Sequence, residues 1–590
     1  LLFSELADYY DKLEAISSRL KMIEVLGELF KKLNANEIEQ TIYLTQGILL
    51  PPYEGLEFGV AEKLVEEAAA MATGYTKESI EKEYKKSGDL GITIQKVKSE
   101  TKLKRIVARK YTIIEVYDKM RKIAETNGEG SKDKKVNMLA DLIIASTGVE
   151  VKYIVRYPLG QLRTGVGDST ILEALSIMGT GDRQFKKALE RAYNICCDLG
   201  MIGKTLAEKG PKAIEKMNIT LFKPVRPALA ERLTTAEAII KRLNGKTSVE
   251  QKYDGFRVQI HKDGSKVKLF SRKLENTTEM FPDLVKAVKD EVNAKNIIFE
   301  GEALAFNEAT SEYMPFQETI QRKRKHNIAE TAEKLPLHLF AFDVLYLNDK
   351  DMLSEPYEER RAVLEKLFNN GTLIKPTTRI LTSSPKELEE FFEKSIENGL
   401  EGVIAKDLKA PYIAGSRKFS WIKLKRSYKG ELSDTLDLVI VGYFLGRGSR
   451  AEFKFGGLLC ASYNKKRDMF ETISRIGTGF TEAQMQELNI KLSKIKLANR
   501  PARVDSIVKP DFWVDPRYVV TINADEITRS PMHTCGRSKQ ENGIETGYAL
   551  RFPRLVGPEA IRKDKDAEDA TTTQEVIELF KLQKKVSVKE

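Results

Sequence analysis

The chain has 590 residues, 41% of them apolar and 31% charged, which is ordinary for a soluble globular protein and too long for one core, so three or four domains are expected. No apolar run is long enough to cross a bilayer, and the amphipathic opening "LLFSELADYYDKLEAISSRL" is neither a signal nor a transit peptide, so no membrane partner is expected. A net charge of +11 suits a polyanionic partner, although solubility alone would also explain it. Cys196 and Cys197 are adjacent, Cys460 and Cys535 stand alone, and the four histidines at 261, 326, 338 and 533 have no close ligand spacing. Zinc chemistry is excluded on that pattern, and inert thiols in a reducing cytoplasm are expected.

Residues 1 to 214 read as helices, because stretches such as "DYYDKLEAISSRLKMIEVLGELFKKL" and "VAEKLVEEAAAMATGY" carry apolar residues three and four apart. "NGEGSKDKKVNMLADLII" predicts a loop entering a helix, with Ser131 as its cap. In "LGQLRTGVGDSTILEALSIM", Arg163 precedes a loop with Gly165 and Gly167, and Asp168, Ser169 and Thr170 lead into an apolar helix. Exposed amides at such a helix start can hold a phosphate, and the same residues also suit a tight corner between helices. The segment "FKPVRPALAERL" then predicts an extended linker.

Beyond it the period becomes two. "SVEQKYD", "FRVQIHKDGSKVKLFSR", "IIFEGEALAF", "LHLFAFDVLYL", "EGVIAKD" and "WIKLKR" predict strands, and "EERRAVLEKLF" and "PKELEEFFEKSIENG" predict helices, together an α+β domain. After "SYKGELSD" a second strand-rich block predicts a small barrel, followed by charged "RKDKDAED", the helix "TTTQEVIELFKLQ" and a basic tail.

Residues two apart on a strand share a face, so Glu250 and Lys252 point one way, and Arg257 on the next strand, with Arg272 after the hairpin, joins them. One acid and three cations on a single wall are costly without an anion to serve them. A polyphosphate is such an anion. The lysine ammonium, with an ordinary pKa of about 10.4, has no lone pair, and making the amine usable near neutrality costs about 4 kcal/mol. Neighbouring cations and desolvation supply that shift.

"KYDGFR", "SRKLEN", "FEGEAL", "FAFDVLYL", "EGVIAK", "WIKLKR" and "RFPR" with "RKDK" occur in an order that resembles the signatures of covalent nucleotidyltransferases. Taken with the helical half, the chain is most similar to archaeal, ATP-dependent, replicative-type DNA ligases, and the resemblance covers nearly its whole length. It implies a multidomain fold: an all-α DNA-binding domain at 1–214, an α+β nucleotidyltransferase domain with ATP-grasp-like antiparallel sheets at 215–428, and a C-terminal β-barrel of the OB-fold at 429–590.

The resemblance also implies residue roles. Lys252 becomes adenylylated, Glu250 reads the adenine amino edge, and Phe342 stacks on the base. Arg257, Arg272 and Arg417 hold phosphates, and Lys423 and Lys425 belong to the nucleotide-binding set. Glu302 binds ribose or a metal, and Glu401 binds Mg²⁺, with Mn²⁺ as the alternative ion. Arg551 and Arg554, with Asp564 and Lys565, orient the departing pyrophosphate, and Arg163, Gly165, Gly167 and Thr170 grip DNA. The implied partner of this monomer is nicked duplex DNA of the nucleoid. A sliding clamp is left open, because "TIQKVKSETKLKRI" lacks the aromatic pair such a motif carries and "QEVIELFK" fits only part of it. Glu300 stands where the signature usually has aspartate.

Overall fold

The computed structural model describes residues 1–16, 18–100, 109–160, 162–307, 312–314, 319, 322, 328–368, 371–398, 400–425, 435–446, 454–540, 543–557 and 561–585. Part of "TIQKVKSETKLKRI" and all of "SYKGELSD" lie outside these. The chain divides into two compact units, one built from residues 1–83, 90–395 and 399–424, the other chiefly from 425–590.

The first unit begins with the expected helices, which run from Phe3–Glu14 to Pro211–Glu215 among the described residues. Their apolar stripes are buried: Phe3, Leu6, Tyr10 and Leu13 on the first helix are fully covered. Ser131 is not the cap predicted for its helix. It is the first helical residue of Ser131–Ala145, and Gly130 takes the cap position in a left-handed conformation (φ 70°) that a serine adopts only with strain.

The proline-containing segment is less free than its composition suggests. Its second half forms a strand, β1 (Leu229–Arg232). Its first half is stitched down by side chains of the following sheet. Gln259 accepts from the Val225 amide (2.8 Å) and donates to the Val225 carbonyl (2.9 Å), and His261 Nδ1 accepts from the Phe222 amide (2.9 Å). On the other side the Arg226 amide donates to the carbonyl of Asn194 in the helical region (2.8 Å).

Two sheets follow. The strands in chain order are β2 (Thr247–Lys252), β3 (Phe256–Asp263), β4 (Lys266–Ser271), β5 (Asn296–Asn307), β6 (Glu312–Tyr313), β7 (Leu337–Leu347), β8 (Lys350–Asp351), β9 (Ile374–Pro376), β10 (Arg379–Thr382), β11 (Gly402–Asp407) and β12 (Arg417–Lys425). One sheet runs β1-β12-β11-β2-β10; the other runs β4-β3-β5-β7-β8, with β6 beside β5 and β9 beside β7. Most pairs are antiparallel, as expected, but β1–β12 and β7–β9 are parallel. The outer face of the second sheet packs on the helices Pro282–Glu291 and Tyr357–Phe368 through Val258, Ile260, Phe299, Leu339, Leu284 and Leu364. Its inner face meets the first sheet around Ile298, Leu345, Tyr412 and Trp421.

The second unit is a strand-rich domain whose core gathers Leu438, Ile440, Leu458, Cys460, Ile473 and Ile522. Its long strands Leu436–Phe444, Gly457–Asn464 and Met469–Ile476 bend at register shifts, the device by which small sheets curl. The helix Glu482–Lys494, absent from the sequence expectation, carries a capping box between Thr481 and Gln484 and buries Met485, Leu488 and Leu492. The C-terminal helix Thr573–Lys585 turns Val576 into this core and packs Ile577, Leu579 and Phe580 against it. The apolar residues of "QEVIELFK" are thereby spent on folding.

Candidate active site

Between the two sheets of the first unit lies a cavity of about 380 Å³, lined by Glu250, Lys252, Arg257, Arg272, Glu302, Phe342, Lys406, Trp421 and Lys423 among others. The alternation in β2 delivers Glu250 and Lys252 to one wall, as the sequence implied. Directly after Lys252 the chain must cross closely over β5. A Cβ at Gly255 would stand 2.4 Å from the Ala303 carbonyl oxygen, so only glycine allows the turn that brings Arg257 round.

Lys252 ends β2 with its side chain 21% exposed, and its ammonium contacts the carboxylate of Glu401. Burial pushes its pKa below the ordinary lysine value; Glu302 and Asp254 oppose that shift, while Arg272 and Arg257 add to it. Desolvation, more than the neighbouring cations, is therefore what lowers it. Glu302 pairs in register with Arg257 across β3 and β5. Burial raises its pKa to about 7, against the lowering pull of Lys252 and Arg257.

Arg257 is held by the Ala228 carbonyl (2.9 Å) and by Glu300 (2.8 Å), and Tyr412 donates to the same Glu300 oxygen (2.7 Å). Glu300 is fully buried, so its extra methylene relative to aspartate serves this anchor. The buried Nε of Arg257 has no acceptor among the described residues. Arg272 is exposed at the cavity mouth, in a tight loop where Ser271 Oγ accepts from the amides of Lys273 and Glu275 (both 3.2 Å).

Phe342 reaches the cavity by an irregularity. On β7, Ala341 and Asp343 pair with the adjacent residues Gly301 and Glu300, leaving Phe342 as the extra residue of a bulge. Phe340, two residues earlier, goes elsewhere and stacks on Tyr253 with ring centroids 4.0 Å apart. Phe342 meets Trp421 edge-on at 5.9 Å and lies 5.2 Å from the Arg257 guanidinium.

Glu250 is 2% exposed at the sealed end. Tyr357 donates to its Oε1, while Thr377 (2.9 Å) and Lys406 (3.0 Å) donate to Oε2. Burial alone would raise its pKa, but Lys406 and Arg361 bring it below the ordinary carboxylate value. Tyr357, Arg361 and Thr377 went unnoticed in the sequence, and Lys406 appeared only as the last letter of a signature.

The remaining expected residues are distributed differently. Lys423 lines the cavity and Lys425 is the half-buried last residue of β12; for Arg417 only the backbone, at the start of β12, is described. In the second unit Arg551 pairs with Glu526 (2.5 Å), Arg554 with Asp525 (3.2 Å), and Lys565 with Asp437 (2.7 Å). Asp564 holds Arg562. In the helical region, exposed Gly165 (φ 71°) and Gly167 precede the helix Asp168–Thr180, and Arg163 is itself left-handed (φ 60°). Thr170 is buried and bonds the Gly167 carbonyl through its amide. The Asp168 carboxylate accepts from Tyr193 (2.7 Å) and Gln46 (3.0 Å), so this corner is braced as well as exposed.

A buried lysine at a strand end, acids and arginines on the facing sheet, and an aromatic side wall define a nucleotidyltransferase domain. Comparison with known proteins extends this along the chain. The family description "ATP dependent DNA ligase domain" matches residues 227–425, "DNA ligase N terminus" matches 2–176, and "ATP dependent DNA ligase C terminal region" matches 451–565. The chain is 49% identical to a "Probable DNA ligase" of Dictyoglomus turgidum over 100% of its length and 99% of that protein's. It is 42% identical to the DNA ligase of Hyperthermus butylicus, covering 98% of this chain and 97% of the other, and 40% identical to that of Saccharolobus solfataricus, covering 99% and 98%. The solved structure titled "Pmar-Lig_Pre." shares the fold with a TM-score of 0.58 at 18% identity, over 95% of this chain and 99% of that one. The chain belongs to the ATP-dependent DNA ligase family.

Proposed function

We propose that this protein seals nicks in duplex DNA through a covalent lysyl-AMP intermediate on Lys252. The observation that carries the reading is the burial of the Lys252 amine in a cavity that also presents Glu250, Arg257, Arg272, Glu302, Phe342 and Lys423.

In the first step the Nζ lone pair bonds to the α-phosphorus of ATP, the bond to the bridging oxygen breaks, and pyrophosphate leaves as Nζ gives up its proton. The Arg257 and Arg272 guanidiniums spread the growing phosphate charge, while Phe342 fixes the base. A 5′-phosphate oxygen of the nick then takes the AMP, the N–P bond breaks, and Lys252 regains a proton. The 3′-hydroxyl finally attacks that phosphate and AMP leaves. Arg551 and Arg554, with Asp564 and Lys565, are assigned to the pyrophosphate. Arg163, Gly165, Gly167 and Thr170 are assigned to the duplex backbone, where contacts to phosphate give affinity without sequence preference.

Glu302 and Glu401 fit a hard divalent cation, Mg²⁺ or Mn²⁺. Both are oxygen donors close to Lys252, the type of ligand such an ion takes. Among the described residues no cluster of three or more His, Cys, Asp or Glu could hold a metal alone, so phosphate oxygens and water would complete the shell. Such an ion neutralises phosphate charge when bound.

The domain boundaries 1–214, 215–428 and 429–590, a monomeric state and a place in the cytoplasm with the nucleoid belong to the same reading. No helix among the described residues is long and apolar enough to cross a membrane. Mass spectrometry after incubation with ATP and Mg²⁺ tests the proposal. One AMP should appear on the peptide containing Lys252, and Lys252→Ala should lose it while still binding nicked DNA. An adduct on another side chain, or sealing by the variant, would sink it.

A further inference from the structure

The sealed end of the cavity holds charged groups that none of the three transfer steps uses. Lys406 is 1% exposed and donates to Glu250 Oε2 and to the Phe342 carbonyl (2.9 Å). Its ammonium sits 4.4 Å from the Trp421 ring, 4.6 Å from Tyr357 and 5.2 Å from Phe342. Three aromatic faces and an anion stabilise the charged form of a side chain that burial disfavours. Arg361, also buried, lies 3.7 Å from the same carboxylate oxygen.

A carboxylate offers about four acceptor positions. Among the described residues three are occupied on Glu250, by Tyr357 on Oε1 and by Thr377 and Lys406 on Oε2. One acceptor position on Oε1 remains, on a residue that lines the cavity. While ionised, Glu250 can only accept. An exocyclic amine, such as the one adenine carries on its six-membered ring, satisfies it. Guanine presents a carbonyl oxygen at the same place, and two acceptors repel. A protonated Glu250 could donate to that carbonyl, and the distinction would vanish.

We propose that Lys406, backed by Arg361, sets nucleotide selectivity by holding Glu250 as an acceptor-only carboxylate toward the purine edge. The inference rests on the reading of Glu250 as the base-facing group and adds the positioning residue that fixes its hydrogen-bonding sense. The groups facing Glu250 are Lys406 from β11, Tyr357 and Arg361 from the helix Tyr357–Phe368, and Thr377 between β9 and β10. Its register partner on β10 is Arg379, which is paired with Glu365 at 3.0 Å, and Lys252 lies two residues along its own strand. Asp343, behind Lys406 and Tyr357, is itself held by Arg360 at 2.7 Å. With Lys406 gone, Arg361 is the one close cation left to Glu250 among the described residues. Protonation of the carboxylate then becomes competitive.

The test is the rate of covalent nucleotidylation with ATP and with GTP, read by intact mass at pH 7 and pH 6. For Lys406→Met the ATP preference should fall by at least about tenfold, the worth of one hydrogen bond to a charged group. It should fall further at pH 6, whereas the unmodified protein keeps its preference at both. Lys406→Arg, which keeps the charge, should stay within about threefold of the unmodified protein. A Lys406→Met protein with undiminished preference at both pH values overturns the proposal. If that variant does not fold, Arg361→Gln provides the reading: a smaller loss of preference at pH 6 supports the proposal and an unchanged preference overturns it. Glu250→Gln separates the two layers, because its amide both donates and accepts without a proton. If Glu250→Gln keeps the ATP preference, the base-facing reading itself fails. If it loses the preference while Lys406→Met keeps it, only the role of Lys406 falls.

Discussion

Two lysines line one cavity, each against a glutamate, and their surroundings differ. Lys406 is sealed by Trp421, Tyr357 and Phe342 and has Glu250 as its anion. Lys252 keeps about a fifth of its surface, and its partner Glu401 is 24% exposed. Desolvation lowers both amines, and nearby acids oppose it at each, Glu250 with Asp343 at Lys406 and Glu302 with Asp254 at Lys252. A lysine enclosed with its counter-charge becomes a fixed positive post. A lysine left at an open strand end, among acids that a ligand or cation can draw away, suits the nucleophilic role proposed for Lys252. Position decides, since the side chain is the same.

The largest effect should come from Lys252→Arg. A guanidinium does not surrender its proton at accessible pH, so covalent AMP should be undetectable by mass spectrometry although the charge is kept. Next come the two glutamates. Glu250→Ala leaves Lys406 without its paired anion in the interior, while Arg361 keeps Glu365 (2.9 Å), and should cost about 3–5 kcal/mol in denaturant unfolding. Glu401→Ala should cost less than about 1 kcal/mol, because its pair is partly solvated, yet it should slow adenylylation severely. Equal stability losses would break the contrast between the two ends.

A smaller effect should appear in the pH profile. The rate of adenylylation should rise with pH as Lys252 loses its proton, with the midpoint below the ordinary lysine value. Arg272→Ala removes one of the cations that lower this pKa, so the midpoint should move upward, by about half a pH unit for a solvated neighbour. An unmoved midpoint would assign the lowering to burial alone. The smallest change belongs to the second unit. Glu526→Gln breaks a surface pair with Arg551 and should alter stability by less than about 1 kcal/mol in the same unfolding assay.

The residues that strand alternation brings to the cavity were largely legible in the sequence, and the partners that close over Glu250 were not. Alternation in "SVEQKYD" and "WIKLKR" placed Glu250, Lys252 and Lys423 on the faces they occupy, because strand periodicity is a local property. It did not reveal that Tyr357, Thr377 and Lys406, which are 107, 127 and 156 residues from Glu250, close over it. Nor did period two foretell the bulge that sends Phe342 and Phe340 to different clusters, since a bulge is set by the partner strand. Gly130 in place of Ser131 and the helix Glu482–Lys494 were missed for a different reason. The first turns on a single φ angle, and the second lies in a block whose glycine-rich turns and short strands dominated the pattern.

The segment from Phe222 to Arg226 has one further implication for how the molecule flexes. A proline-containing run invites the idea of a tether, yet its backbone is sewn to β3 on one side and to Asn194 on the other. Its residues should therefore resist limited proteolysis and exchange their amide hydrogens slowly. Whatever reorientation nick sealing demands must pivot at some other point along the chain.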